Sequence, residues 1–393
     1  MSSVRVKVDR AKRKLSEARA ASGAGAAWSI GQSTIEPPPR QVADFLDKRF
    51  LIWVWNYLKV ALTPRYKFAS YDAPVESRPG IHDLPVNCRV SLAGDWGSGT
   101  ENAYRVMDHI RKFQQPQITI HLGDIYYSGQ VDEVQRYFLG KDDWYRAERS
   151  FALNANHEMY SGGKGYFEYV LKELGQGASY FCIENEYWRI VAVDTGYFAK
   201  VIPFIELLLQ TKLHRKNRKW LEEVVFGDDS DRRPVLLLSH HQWFSSFDKG
   251  YSRIGNQLKP FLRDVALWFY GHEHRLAGYA AHAPSGDYKV RTRCVGHGGM
   301  PVEIKEPKNN DLPLVFVDNR EQTKVDGEPT GFCGNALLEF EGARLVVRYY
   351  DETGEELLAE GWTSNGRTGG VTGTILNASQ HLKWFREPNE LVR

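Results

Sequence analysis

The chain has 393 residues, enough for one large domain or two to three small ones, with a sizeable buried core in either case. Its 42% hydrophobic and 25% charged residues exclude wholesale disorder, and a formal net charge of +2 excludes a global pull toward nucleic acid or an anionic membrane. Four widely spaced cysteines, Cys88, Cys182, Cys294 and Cys333, with no CxxC pair, exclude a disulfide scaffold and a thiolate zinc site and fit a reduced compartment.

The first forty residues carry eight Lys or Arg against Asp9, Glu17 and Glu36, then become Ala/Gly-rich and end in Pro37-Pro38-Pro39. This composition predicts a solvated basic arm over 1–40, with an acidic or protein partner as the sharper expectation. No apolar run of secretory type follows the start, so a soluble cytoplasmic protein is expected. Over 41–85 the spacing predicts a helical extension that packs on the core. Val42, Phe45, Leu46, Phe50, Trp53, Tyr57, Leu58 and Ala61 recur at three- and four-residue steps. Its most apolar part, Phe50 to Leu62, is 13 residues long and contains Asn56 and Lys59, too short to span a membrane.

From residue 86 the texture changes to short β-branched runs separated by polar helical stretches. Strands are predicted at Arg89–Ala93, Ile118–Leu122, Phe151–Leu153, Tyr187–Val193, Val235–Leu238, Leu267–Tyr270, Val290–Val295, Ala336–Phe340 and Arg344–Tyr350. Strand and helix alternate in the middle, and the end reads antiparallel. That pattern predicts an α/β (α+β) domain over 86–355, with mixed sheets and outer helices, and a tail over 356–393. Residues 296–334 read as one long Gly/Pro-rich polar loop.

Five of these strands run into metal-ligand residues. Leu92-Ala93-Gly94 leads into Asp95, Leu122-Gly123 into Asp124, and Asn154-Ala155 into Asn156-His157-Glu158. Leu238-Ser239 leads into His240-His241, and Tyr270-Gly271 into His272-Glu273-His274. Ligands of open α/β sheets collect beyond the carboxyl ends of strands, so residues scattered over 180 positions can meet in one cleft. Carboxylate, amide and imidazole donors suit Fe, Mn or Zn rather than a Ca²⁺ cage. A single Asp or His at a strand end is usually a cap or a hydrogen-bonded core residue. Five such ends in one chain make a shared metal site the better reading.

The order Asp, Gly-Asp, Asn-His-Glu, His, Gly-His-x-His resembles the calcineurin-like metallophosphoesterases. The resemblance implies a β-sandwich of mixed sheets flanked by helices, with a two-metal centre at one edge. Asp95-Trp96-Gly97 lacks the histidine found in most of that family's first motif, while Gly123-Asp124-Ile125-Tyr126-Tyr127 has a tyrosine three places after the aspartate. Both features resemble the purple acid phosphatase branch. By that resemblance Asp95, Asp124, Tyr127 and His274 hold a first metal, Fe³⁺ as tyrosinate on Tyr127. Asp124 bridges to a second, Fe²⁺, Zn²⁺ or Mn²⁺, completed by Asn156, His240 and His272. Tyr126 is read as a packing neighbour. Ala155 replaces the family's usual glycine.

The implied reaction is hydrolysis of a small phosphate ester by in-line attack of a metal-bound hydroxide, with His157 protonating the leaving group. Glu158 or Asp194 is expected to orient His157. His241 and His297 are read as substrate-facing or supporting residues. A phosphomonoesterase is the leading expectation, with a phosphodiesterase on a nucleotide or cyclic nucleotide, and a catalytically silent scaffold, as alternatives. Outside the short arm no basic, aromatic-interleaved stretch signals nucleic acid.

Overall fold

A computed structural model describes residues 65–393 except 141–142, 145, 200–210, 285–287 and 326–327. The basic arm and the helical stripe over 42–61 lie outside the described residues. Residues 65–85, the described end of the expected helical extension, contain one 3-10 turn, Val75–Ser77, and strand β1 (Ile81–Asp83). This stretch lies on the core through Phe68, whose ring stacks on His214 at 3.9 Å and meets Tyr197 edge-on at 4.9 Å.

The fold is α/β, two mixed sheets flanked by helices. The first sheet has seven strands. Its parallel part is β2 (Asn87–Ala93), β3 (Ile118–His121) and β4 (Arg149–Ala152). Its antiparallel part is β15 (Gly334–Glu341), β16 (Arg344–Asp351), β17 (Glu356–Ser364) and β18 (Val371–Ala378). The second sheet has nine strands. It begins with β1, β5 (Phe181–Glu184), β6 (Arg189–Ala192), β7 (Val235–Ser239) and β8 (Val265–Tyr270), and continues through β10 (Val290–Val295), β9 (Leu276–His282), β12 (Leu314–Val317) and β19 (Lys383–Trp384). A small third sheet joins β11 (Val302–Glu303), β14 (Glu328–Gly331) and β13 (Thr323–Val325).

All nine predicted strands are present. Two regions differ from expectation. Residues 296–334 hold four short strands rather than one loop, and residues 356–393, expected as a tail, supply the outer strands of the seven-stranded sheet and one edge of the other. The apolar side chains of the two sheets meet in one core, where Val90, Leu92, Ile118 and Ile120 pack with Leu236, Leu238, Leu267 and Phe269. One polar pair crosses this core. Arg293 of β10 donates from Nε and Nη2 to the Glu360 carboxylate of β17 at 2.7 and 2.8 Å, both groups fully buried, and the Tyr349 hydroxyl adds a bond at 3.0 Å. Bidentate geometry of this kind fixes how the two sheets sit against each other.

The consequence for function is directional. Strands β2, β3 and β4 are parallel in one sheet and β6, β7, β8 and β10 in the other, and the carboxyl ends of β2, β3, β4, β7 and β8 lead into the donors that meet at one edge of the sandwich.

Candidate metal centre

Each strand end delivers its polar residue through a sharp reversal of the chain. Asp95, Asp124 and His272 have φ of 59°, 72° and 67°, the left-handed region that L side chains rarely occupy. Among the described residues only Arg78 and Gln115 share it without being glycine. Strain concentrated at three clustered polar residues is the mark of a functional site, held there by the surrounding packing. Two glycines allow that packing. A Cβ on Gly271 would stand 2.8 Å from Asp95 Oδ2, and one on Gly123, with φ of 104°, 2.9 Å from His240 Nδ1. Ala155 has φ −138° and ψ −174°, extended backbone open to any residue, which is why alanine serves where the family uses glycine.

The donors converge on two adjacent points. At the first, the Tyr126 hydroxyl donates to Asp95 Oδ1 at 2.7 Å, lies 3.2 Å from Asp124 Oδ2 and 3.0 Å from His274 Nε2, and His274 Nε2 is 3.5 Å from Asp95 Oδ1. At the second, Asn156 Oδ1 is 3.1 Å from both His240 Nε2 and His272 Nδ1, and His240 Nε2 is 3.3 Å from Asp124 Oδ2. The same oxygen, Asp124 Oδ2, belongs to both groups.

The outward faces of these donors are occupied by the protein, which fixes the faces that converge. Asp95 Oδ2 accepts the His272 amide at 2.8 Å, His240 Nδ1 donates to the Leu122 carbonyl at 3.0 Å, and Asn156 Nδ2 donates to the Tyr160 hydroxyl at 2.9 Å. Donors that bind one ion at about 2.0–2.2 Å stand roughly 3 Å apart when adjacent. The observed spacings therefore fit two ions with oxygen and imidazole ligands.

Electrostatics agree with a site built for cations. Burial opposes the charge on Asp124, but His157, His240 and His272 outweigh it and hold the carboxyl well below its usual range. Burial alone would lower the His240 imidazolium, yet Asp124, with Asp95 and Glu158, raises it to about 9. Burial, then Asp95 and Asp124, pushes the Tyr126 phenol well above its usual value, so only a cation beside it would make phenolate the stable form.

Seven of the eight residues expected as ligands or acid are brought together: Asp95, Asp124, Asn156, His157, His240, His272 and His274. Tyr127 is not. Its amide donates to Glu133 Oε1 at 2.9 Å, and its phenol is raised to about 12 by lost solvation, then by Tyr137 and Glu133, groups outside the cluster. Tyr126, expected only to pack, puts its hydroxyl into the cluster instead. Glu133 sets this orientation. It accepts the amides of Tyr127, Ser128 and Gln130 from the first turn of a helix, Val131–Tyr137, and so fixes which tyrosine of the loop turns inward.

His157 lies at the mouth, 21% exposed, with Nε2 3.7 Å from Asp124 Oδ2. Its amide donates to Asp124 Oδ1 at 3.1 Å and its Nδ1 donates to the Tyr127 carbonyl at 2.6 Å, which leaves Nε2 facing the centre. Neither expected orienter touches the ring. Glu158 accepts the amides of Ile125 and Ala155 at 3.0 and 3.1 Å and ties two ligand loops together. Asp194 accepts bonds from Ser179, Asn154, Gly196 and Tyr197 and anchors the loop before Asn156. His297 follows β10 but turns away. Its ring packs under Gly334, and burial, only partly offset by Asp351, lowers it to about 3. His241 joins the rings of His240 and His272 rather than pointing away from them.

Two residues with no motif signal line the site. The Tyr251 hydroxyl is 2.9 Å from His272 Nε2, and Tyr160 holds Asn156 and packs on the His157 ring at 4.7 Å. Four residues after Asn156 on a short helix is a spacing that would have suggested Tyr160. Nothing in the sequence around Tyr251 points to His272.

Residues 88–276 match the family model of the calcineurin-like phosphoesterases, and that span contains every residue of the cluster. This part of the chain is similar to the calcineurin-like phosphoesterases. Among solved structures, the chain is similar to GAP50, the anchor in the inner membrane complex of Plasmodium, at 13% identity and TM-score 0.51, covering 75% of this chain and 90% of that one. It is similar to PhoD at 11% identity and TM-score 0.50, covering 77% and 73%. A purple acid phosphatase from yellow lupin seeds aligns at 14% identity and TM-score 0.48, covering 70% of this chain and about half, 53%, of that protein. These likenesses concern the fold. No curated protein matches the sequence. No helix among the described residues is long and apolar enough to cross a membrane.

Proposed function

We propose that the chain is a dinuclear metal-dependent phosphoesterase acting on a small phosphate monoester. The observation that carries this reading is the shared oxygen Asp124 Oδ2, which lies within 3.3 Å of donors from both groups and would serve both ions. Asp95, Tyr126 and His274 would hold one ion and Asn156, His240 and His272 the other, with Asp124 between them. Tyr126 takes the phenolate role that the sequence suggests for Tyr127, and a trivalent iron at this position is the ion that phenolate favours.

When bound, such a pair neutralises phosphoryl oxygens and lowers the pKa of a water. The protein supplies the rest. Asp124, with Oδ1 held by the His157 amide and Oδ2 turned inward, fixes the separation of the two positions. The Tyr127 carbonyl holds the Nδ1 proton of His157, so the acid form is the imidazolium, whose second proton sits on Nε2, faces the cleft and passes to the leaving oxygen as the ester bond breaks, leaving neutral imidazole. Tyr160 packs on the His157 ring and the Tyr251 hydroxyl on His272, so both hold the side chains beside that path.

The test is a comparison of kcat/KM on an aryl phosphate monoester and the matching diester with the metal-loaded protein. A preference of tenfold or more for the monoester supports the proposal. The reverse preference assigns the centre to a phosphodiesterase, and no turnover on either ester by protein that holds two ions overturns it.

A further inference from the structure

Beside the nitrogen-rich position is a third histidine that the motif order does not use. His241 is fully enclosed, 1% exposed. Its ring centroid is 4.8 Å from that of His240 and 4.7 Å from that of His272, and one ring nitrogen from each of the three lies within 4.8 Å of the others. On a continuing strand His240 and His241 would face opposite sides. Here β7 ends at Ser239, the Ser239 hydroxyl donates to the His241 carbonyl at 2.9 Å, and the chain bends so that both rings meet at one place.

Thr195, at the end of β6, holds the His241 ring. Its Oγ1 accepts the His241 amide at 3.1 Å and lies 2.9 Å from His241 Nδ1. A hydroxyl oxygen has a second lone pair that can accept the Nδ1 proton, and in that tautomer Nε2 is left bare. This is the arrangement of metal-binding histidines, which give their far N–H to an oxygen and present the other nitrogen to the ion.

We propose that His241 is a third imidazole ligand of the nitrogen-rich position, oriented by Thr195, so that this position takes a borderline ion such as Zn²⁺ in preference to Mn²⁺. The inference rests on the dinuclear reading and deepens it. Three nitrogens at about 2.1 Å from one zinc are roughly 3.6 Å apart in a trigonal array, so rings whose nitrogens lie within 4.8 Å of one another close on an ion by drawing together by about an ångström at most. With Asn156 and Asp124 the ion then has three imidazoles, one amide and one carboxylate, a set that suits Zn²⁺ better than the oxygen-seeking Mn²⁺.

The experiment is a crystal structure of the full chain loaded with Zn²⁺, with anomalous maps at the zinc edge. It is paired with zinc and manganese titrations of wild type, His241→Ala and Thr195→Val. The expected result is two zinc ions, a His241 nitrogen within bonding distance of the second, and tenfold or greater loss of second-site zinc affinity in His241→Ala. Free imidazole should restore that affinity, a rescue that a purely structural histidine would not show. The zinc-over-manganese preference should narrow in the same variant. Two zinc ions with His241 beyond 3 Å of both would overturn the inference and leave the dinuclear reading intact, whereas fewer than two ions in wild type would overturn the reading itself. The wild-type crystal decides the matter even if a variant does not fold.

Discussion

The two halves of the centre differ in chemistry and in how the fold builds them. The first position is oxygen-rich: Asp95, Asp124 and Tyr126 contribute three oxygens against one imidazole, His274. The second is built from the imidazoles of His240 and His272 with the Asn156 amide, and shares Asp124. A hard trivalent ion suits the first and a softer divalent ion the second, so the asymmetry itself is an argument for two different metals. Asp124 is the only donor common to both. The difference teaches that one carboxylate carries the coupling while the flanking groups carry the selectivity.

The largest expected effect therefore comes from removing the coupling. Asp124→Ala should lose both ions and all measurable phosphoesterase activity, read by metal analysis and turnover on the same sample. If that variant kept two ions, the positions would be independent and the comparison would fail.

Next in size is His157, the proposed acid at the mouth. His157→Ala should lower kcat by a factor of about 10²–10⁴ while both ions remain bound, the usual range for loss of a general acid. Loss of metal instead would make His157 a structural part of the second position.

The tyrosine pair sharpens the contrast between the halves. In iron-loaded protein the tyrosinate absorption band should vanish in Tyr126→Phe and persist in Tyr127→Phe. The opposite pattern would restore the assignment suggested by the motif spacing.

The scaffold behind both halves should matter for stability more than for chemistry. Asp194→Ala leaves the Ser179 hydroxyl, the Asn154 amide and two backbone N–H groups buried without an acceptor. A loss of about 3 kcal/mol or more at neutral pH is expected, since each unpaired buried donor costs roughly 1–3 kcal/mol. Chemical denaturation measures it.

The smallest effect is a proton count. His240 is raised to about 9 in the metal-free protein, so at pH 7 it carries a proton that a metal ion must displace. Apparent affinity for the second ion should rise as pH increases toward 9 and level off above it, with about one proton released per ion at pH 7. Calorimetry in buffers of different ionisation enthalpy reads that number.

Much of this was legible in the sequence because the strands are short apolar runs that end in a donor. The grammar of Leu92-Ala93-Gly94-Asp95 and Tyr270-Gly271-His272 states both the buried strand and the polar end. It also misleads once. Val295-Gly296-His297 follows the same rule, and β10 is parallel to β8, yet the His297 side chain turns under Gly334 instead of into the cleft. The choice between Tyr126 and Tyr127 was not legible, because it depends on Glu133 clamping three amides of the loop, a tertiary contact between residues of no distinctive pattern. Strands β11, β13 and β14 are two to four residues long and sit among Gly and Pro, too short for period-two alternation to show. Strands β17 and β18 were hidden for a related reason. The partner that makes residues 356–378 a sheet edge is β16, which the sequence places as the last strand of the domain.

The most direct test of the central claim is the metal content and magnetic coupling of the purified chain loaded with iron. Two irons per chain with antiferromagnetic coupling, both abolished in Asp124→Ala, is the result expected from a centre bridged by one carboxylate. One metal ion in total per chain, or two irons that are magnetically independent, would contradict it.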